Sequence, residues 1–224
     1  MKTHQTIQKL SVVLMAAALL CAVMPASAQE QQTSMDNGLK TKLGIKGGLN
    51  LTTLYSSDVS TSHMKAGFDA GIFAKFPVTR GFSIQPELLY SLKGAKTSYD
   101  NAVQGSGEYR FNLGYIELPL LAVVNLGPNF NIHAGGYAAY MTNANIKNVD
   151  NNGNLEGATD LNADNFNRWD YGLVGGAGFD IEHVTLGARY NYGLSKIGKS
   201  GNLSGDLARG MKNAGFSFYI GFGF

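Results

Sequence analysis

The chain ends in its strictest two-residue alternation. Ala214, Phe216, Phe218, Ile220, Phe222 and Phe224 share one parity, and Gly215, Ser217, Tyr219, Gly221 and Gly223 hold the other. A strand gathers such phenylalanines on one face, whereas a helix scatters them around its circumference. The pattern therefore predicts a strand with one oily face and one small or polar face.

Seven earlier segments repeat it. Leu43, Ile45, Leu49 and Leu51 alternate with Gly44, Lys46, Gly48 and Asn50. Ala66, Phe68, Ala70, Ile72, Ala74 and Phe76 alternate with Gly67, Asp69, Gly71 and Lys75, and Phe82, Ile84, Pro86, Leu88 and Tyr90 with Ser83, Gln85, Glu87 and Ser91. In the fourth segment, about 109–126, Phe111 and Leu113 lie on one parity and Ile116, Leu118 and Leu120 on the other, which predicts a bulge near Gly114. The fifth sets Phe130, Ile132, Ala134, Ala138 and Tyr140 against Asn131, His133 and Tyr137. The sixth sets Trp169, Tyr171, Leu173, Ala177 and Phe179 against Asp170, Gly176, Gly178 and Asp180. The seventh sets Val184, Leu186, Ala188, Tyr190 and Tyr192 against Thr185, Arg189 and Asn191.

The connections between these segments alternate in length. Pro77 to Gly81, Gly127-Pro128 and Glu182-His183 are tight corners; Ser56 to His63, Gly94 to Glu108, Lys147 to Asn167 and Ser195 to Gly210 are long and polar. Short turns on one side and long loops on the other are the habit of outer-membrane barrels. On the oily parity, Phe76, Phe82, Phe130, Phe179, Phe222 and Phe224 lie near the short turns. Tyr55, Tyr90, Tyr140, Trp169, Tyr171, Tyr190 and Tyr192 lie nearer the long loops, as an interfacial girdle would. The fold class expected is all-β: an eight-stranded antiparallel up-and-down transmembrane β-barrel. A barrel that spans lipid must close, so that every backbone group finds a partner. Alternation alone does not say which face is inside, and a soluble lipocalin-type barrel with the oily face inward is the competing arrangement.

The first residues read as a secretory address. Lys2 and Lys9 supply positive charge, Leu10 to Val23 is almost wholly apolar, and Ala26-Ser27-Ala28 has the small residues a signal peptidase reads. The apolar run falls short of the ~20 residues of a spanning helix. A lipoprotein start at Cys21 would want a small residue where Leu20 stands. The expected organisation is a signal peptide at 1–28, a polar periplasmic leader at 29–41 and an outer-membrane barrel at 42–224. Cleavage after Ala28 removes the only cysteine and with it any thiol chemistry. The whole chain has 18 Lys+Arg and 16 Asp+Glu; losing Lys2 and Lys9 leaves the two balanced, without the basic excess of a nucleic-acid binder.

Charges inside the strands fall mainly on the non-oily parity: Lys46, Lys75, Lys93 and Arg189, with Asp69, Glu87, Glu117, Asp170 and Asp180. Eight strands leave a lumen that side chains just fill, so these nine are expected to form an internal ion-pair network. A proton relay or narrow ion path is the competing use. For catalysis, only His63 lies on the long-loop side, near Ser56, Asp58, Ser98 and Asp100; His133 and His183 belong to the short-turn side. These are ordinary loop residues; a lipid- or peptide-modifying enzyme acting at the outer rim is the competing reading, and no enzymatic activity is expected. Asp150, Asn151, Asn152, Asn154, Asp160 and Asp164 miss the spacing of a calcium loop, and Gly175, Gly176 and Gly178 form no dinucleotide fingerprint. No cofactor or metal is expected.

Three stretches carry a family resemblance. Leu43-Gly44-Ile45-Lys46-Gly47-Gly48-Leu49-Asn50 resembles the opening strand of the PorT-like outer-membrane β-barrel family. Tyr115-Ile116-Glu117-Leu118-Pro119-Leu120-Leu121 resembles its Y-[IL]-E-[IL]-P-L-L strand, and Ile84-Gln85-Pro86-Glu87-Leu88 also fits. The resemblance spans roughly 43–224 and implies an eight-stranded barrel of OmpA/OmpX-like architecture in the outer membrane. It implies little about activity, although PorT itself is associated with protein secretion. Phe224, the terminal residue, resembles the signal read by the outer-membrane assembly machinery. The partners expected are outer-membrane lipid, that machinery, and an extracellular ligand or envelope protein at the loops.

Overall fold

The computed structural model describes residues 39–55, 63–101, 105–150, 155–160, 167–198 and 210–224, those at 63, 97–101, 105–109, 146–150 and 155–160 as backbone only. Its strands are β1 (Lys42–Tyr55), β2 (His63–Pro77), β3 (Phe82–Asn101), β4 (Gly105–Asn125), β5 (Phe130–Asp150), β6 (Leu155–Asp160), β7 (Trp169–Ile181), β8 (Val184–Gly193) and β9 (Lys212–Gly223). Eight of them form a closed antiparallel ring in the order β1-β2-β3-β4-β5-β7-β8-β9, with β9 returning to β1. The closing ladder runs from Gly44 opposite Gly223 to Tyr55 opposite Lys212. Beyond it, Leu43 and Phe224 exchange both backbone hydrogen bonds, at 3.2 and 2.8 Å.

The oily parity faces outward. Leu49, Phe218, Ile220 and Leu120 are each more than half exposed, and Trp169, Tyr171 and Leu173 continue the wall on β7. Lys46, Glu87, Lys93, Glu117, Asp170 and Arg189 are buried inside. That arrangement overturns the lipocalin-type alternative, because a water-soluble barrel would not present such a belt to solvent. The tyrosines at 90, 171, 190 and 192 and Trp169 all stand on the outer wall, toward the long-loop end.

Of the polar stretches expected as loops, 94–108 is largely strand, and 147–167 is strand at 147–150 and 155–160. β3 has 20 residues, and β4 and β5 have 21 each, whereas β7, β8 and β9 have 13, 10 and 12. A tilted spanning strand needs about 9–11 residues, so β3, β4 and β5 overrun the bilayer on the long-loop side by about ten residues each. β6 pairs with the overrun of β5, Asn145 to Val149. Where both faces of a sheet meet water the hydrophobic alternation vanishes while the backbone ladder continues, so the sequence signal stops before the strand does.

The bulge lies where expected, between Gly114 and Tyr115, but the partner strand carries its extra residue. Gly114 pairs with Asn143 but Tyr115 pairs with Met141, so the extra residue is Thr142 of β5. Thr142 and Asn143 are both exposed, while Met141 and Ala144 on either side are buried. β4 itself keeps one parity: Leu113, Tyr115, Glu117, Leu121 and Val123 all point inward. Its apolar residues change face because the lumen becomes apolar toward the long loops. There Leu54, Ala95, Leu113, Tyr115, Met141 and Ile197 form a buried cluster.

A charge on the outer wall tests this orientation. Phe218→Arg, in the middle of β9, is expected to destabilise the barrel by about 2–4 kcal/mol in urea unfolding from lipid vesicles, the cost of a cation near the bilayer midplane. An inward-facing Phe218 would instead make the variant's defect independent of lipid.

Candidate functional site

The nine strand charges singled out from parity lie in three clusters stacked along the lumen. In the middle of the lower half, Lys46 of β1 lies 3.2 Å from Glu87 Oε2 of β3. Arg189 of β8 grips both oxygens of the same carboxylate, Nη1 to Oε2 at 2.9 Å and Nη2 to Oε1 at 3.0 Å. Gln85 donates a further hydrogen bond to Oε1 at 2.8 Å. The planar guanidinium fork suits this two-point grip, which an ammonium cannot make. Asp69 of β2 is held by the Ser217 hydroxyl at 2.8 Å and not, among the described residues, by an ion pair.

A tyrosine completes this cluster. Lys46 Nζ sits 3.6 Å above the centre of the Tyr219 ring, and the Arg189 guanidinium 4.6 Å from it. The ring lies flat against Gly187, its cross-strand neighbour. A Cβ there would come within 2.3 Å of the ring, so only glycine leaves room for it. The same device recurs in the upper cluster: Tyr137 lies against its partner Gly172, and Lys93 Nζ is 4.4 Å from the Tyr137 ring centre. Each pair turns a large polar-edged ring into a lid over the wall and offers its negative face to a buried cation.

In the upper cluster Lys93 of β3 lies 2.5 Å from Glu117 of β4 and 3.9 Å from Asp170 of β7. Two carboxylates against one ammonium leave an anionic excess, which neutral donors offset. Asp170 accepts from Ser195 Oγ at 2.5 Å, Asn213 Nδ2 at 2.8 Å and Tyr137 Oη at 3.4 Å. At the short-turn mouth, Lys75 pairs with Asp180 at 3.2 Å, and Asp180 also accepts from Thr185 at 2.6 Å and Asn131 at 2.8 Å. His133 hangs beside this pair, with Nδ1 3.3 Å from Asn131 Oδ1, over a cavity of about 30 Å³.

Parity alone missed the residues that bind these clusters together: Tyr219, Tyr137 and Tyr115, and Ser195, Asn213 and Ser217. Their signal is weak, since only the cross-strand register shows that Tyr219 and Tyr137 face glycines. The catalytic candidates fare differently. Ser56 and Asp58 lie outside the described residues, as do the side chains of His63, Ser98 and Asp100. The same holds for the side chains or positions of Asp150, Asn151, Asn152, Asn154, Asp160 and Asp164. Among the described residues no group of histidines, cysteines and acids is placed to hold a metal.

A closed ring with an apolar outer wall, an aromatic rim and charged groups paired inside defines an outer-membrane β-barrel. Residues 27–198 match the family model of the outer membrane protein beta-barrel domain, and the chain belongs to that family. No curated protein matches it in sequence. Among solved structures it is similar to Ail, the attachment invasion locus protein of Yersinia pestis, in complex with the heparin analogue sucrose octasulfate. The two are 13% identical with a TM-score of 0.47, over 83% of this chain and 100% of that one. The Neisserial surface protein A is 12% identical, with a TM-score of 0.47 over 83% of this chain and 99% of that one. OprG from Pseudomonas aeruginosa is 14% identical, with a TM-score of 0.39 over 83% of this chain and 97% of that one.

The charged clusters can be separated from mere hydrophobic filling. Glu87→Ala leaves Lys46 and Arg189 buried without their carboxylate and is expected to cost about 3–5 kcal/mol. Replacing the three together, Lys46→Met, Glu87→Leu and Arg189→Met, is expected to restore stability to about the starting value or above it, because no charge is then desolvated. Urea unfolding in micelles reads both. A triple variant as damaged as the single one would show that the ion pairs do more than fill space.

Proposed function

We propose that this protein is a non-enzymatic outer-membrane barrel whose lumen is a structural plug and whose work is done by the strands that overrun the membrane. The observation that carries this reading is the length of β3, β4 and β5, about ten residues beyond what a bilayer needs. The ion-pair clusters and the apolar cluster of Leu54, Leu113, Met141 and Ile197 favour a lumen that passes no solute. The overrunning hairpins and β6 then offer the surface for an extracellular ligand or an envelope protein. The address follows the same reading: a signal peptide at 1–28 is removed, the leader at 29–41 stays periplasmic, and Phe224 serves the assembly machinery at the end of β9. Phe224 is 70% exposed on the outer wall, where a recognition factor could reach it.

A second reading is a PorT-like part of a secretion or envelope-assembly complex, favoured by the Tyr115–Leu121 motif. The motif has a complete account in the barrel itself. Tyr115, Glu117 and Leu121 face the lumen, Glu117 pairing with Lys93, and Leu120 faces lipid. It therefore marks how the wall is built more than what the wall is for.

Planar-bilayer recording should find no stepwise conductance for the purified barrel; reproducible steps would remove the plug. Replacing residues 97–107 and 147–160 with short turns should leave heat-modifiable migration on detergent gels intact and abolish cross-linking to the external partner. If a null strain loses secretion and the trimmed barrel restores it, the PorT-like reading takes precedence.

A further inference from the structure

The charges buried inside the ring do not balance. Among the described residues the buried cations are Lys46, Lys93 and Arg189, and the buried carboxylates are Asp69, Glu87, Glu117 and Asp170. Three positive charges against four negative ones leave one negative charge over. The mouth pair of Lys75 and Asp180 is neutral by itself and leaves that difference as it stands. A buried charge is costly unless an opposite charge reaches it.

The excess is local. In the lower group Lys46 and Arg189 are matched by Glu87 and by Asp69, whose field reaches Lys46. In the upper group Lys93 is the one cation for both Glu117 and Asp170, at 2.5 and 3.9 Å. Ser195, Asn213 and Tyr137 hydrogen-bond Asp170, which lowers the cost of its charge without cancelling it. Strand register sets the two acids in one row: Glu117 of β4 is the partner of Ala139 on β5, and Ala139 is the partner of Asp170 on β7. A methyl group thus separates two carboxylates whose strands lie about 10 Å apart, twice the strand spacing. Lys93 lies over the Tyr115 and Tyr137 rings, at 5.5 and 4.4 Å, so their negative faces line the same space.

An unpartnered oxygen belongs to this group as well. Asn213, 2% exposed, donates from Nδ2 to Asp170 Oδ2 at 2.8 Å and to Tyr115 Oη at 3.3 Å. A carboxylate only accepts, so these bonds fix which end of the amide is oxygen and hold it inside the cluster. Its Oδ1 is buried and receives no hydrogen bond. We propose that the lumen holds one monovalent alkali-metal cation, bound over Ala139 by Glu117, Asp170 and Asn213 Oδ1. One unit of charge balances the lumen, and a divalent ion overshoots it. Two acids and an amide form a set of hard oxygen ligands, suited to such an ion rather than to a transition metal. A proton fits less well, because Asp170 accepts hydrogen bonds on both oxygens and Glu117 faces an ammonium. The ion is part of the plug, so the inference rests on a lumen that passes no solute. Bilayer recording tests that reading, and a salt series tests the ion.

The full-length barrel is unfolded by urea in zwitterionic vesicles at constant ionic strength, with sodium, potassium or lithium chloride replaced stepwise by choline chloride. Choline is too large for the site and controls for screening. The preferred alkali cation is expected to raise the folded-to-unfolded ratio about tenfold at about ten times its dissociation constant. Glu117→Gln removes the surplus charge, and its amide can accept from Lys93 and donate to Asn213 Oδ1. This variant is expected to match or exceed the parent in choline and to gain nothing from any alkali cation. Asp180→Asn, at the mouth, is expected to keep the parent's response. Equal stability of the parent in choline and in all three alkali salts overturns the proposal, as does an undiminished gain in Glu117→Gln. A parent stabilised by acid instead of by alkali cations holds a proton at this place, which overturns it too.

Discussion

Closure of β1 on β9 is the constraint from which the rest of this structure follows. In hydrocarbon an unpaired strand edge leaves backbone N–H and C=O groups without partners at several kcal/mol each, so a sheet that enters a membrane must return on itself. Here the ladder from Gly44–Gly223 to Tyr55–Lys212, extended by the Leu43–Phe224 pair, removes the last edge. Once eight strands close, the radius of the lumen is no longer free. It admits side chains and little else, so every inward residue must pack against residues from the opposite wall. Lys46 thus meets Glu87 from β3 and Arg189 from β8, neither of them on a strand adjacent to β1.

The lumen solves two different problems along its length. Its lower and middle levels carry charge, and a buried charge persists only with close partners. The Lys46–Glu87–Arg189 group meets that condition with a two-point guanidinium grip, and the Asp170 group meets it with three neutral donors around one carboxylate. The upper level drops charge altogether and packs Leu54, Leu113 and Met141 around Ile197, a residue of the connection after β8 rather than of any strand. Tyr137 belongs to both regimes. Its hydroxyl reaches Asp170 while its ring joins the apolar cluster, so it is the hinge between a polar and an oily filling.

Much of this was legible because the two faces of a spanning strand meet opposite environments. Phe216, Phe218, Ile220 and Phe222 against Ser217 and Tyr219 leave one reading only, and lumen charges such as Lys46 and Arg189 stand out on the polar parity. Which charge meets which was not legible. Glu87 lies 41 residues from Lys46 and 102 from Arg189, and their meeting depends on strand register around the whole ring. Apparent contradictions in the pattern also misled. The change of face at Leu113 reads as a slip in β4, but it reflects an apolar lumen there, while the real insertion, Thr142, carries no hydrophobic signature. The overruns of β3 to β5 are silent for the opposite reason: with water on both faces, nothing in residue polarity distinguishes a strand from a loop.

These features divide the molecule by what each surface is free to do. An inward residue is bound to several others across the ring, so changing it disturbs stability before it alters any activity. The outer wall is under a looser demand, because lipid asks only that it be apolar. Departures from that minimum therefore stand out physically. Most of the wall needs no more than Leu, Ile and Phe, yet β5 and β7 place Ala134 and Gly175 beside Tyr190 and Tyr192 of β8. Bulky apolar residues at Ala134 and Gly175 would satisfy the bilayer as well and bury more surface against it. The small residues at Ala134 and Gly175 thus leave a shallow groove on the outer wall that closure of the ring does not require.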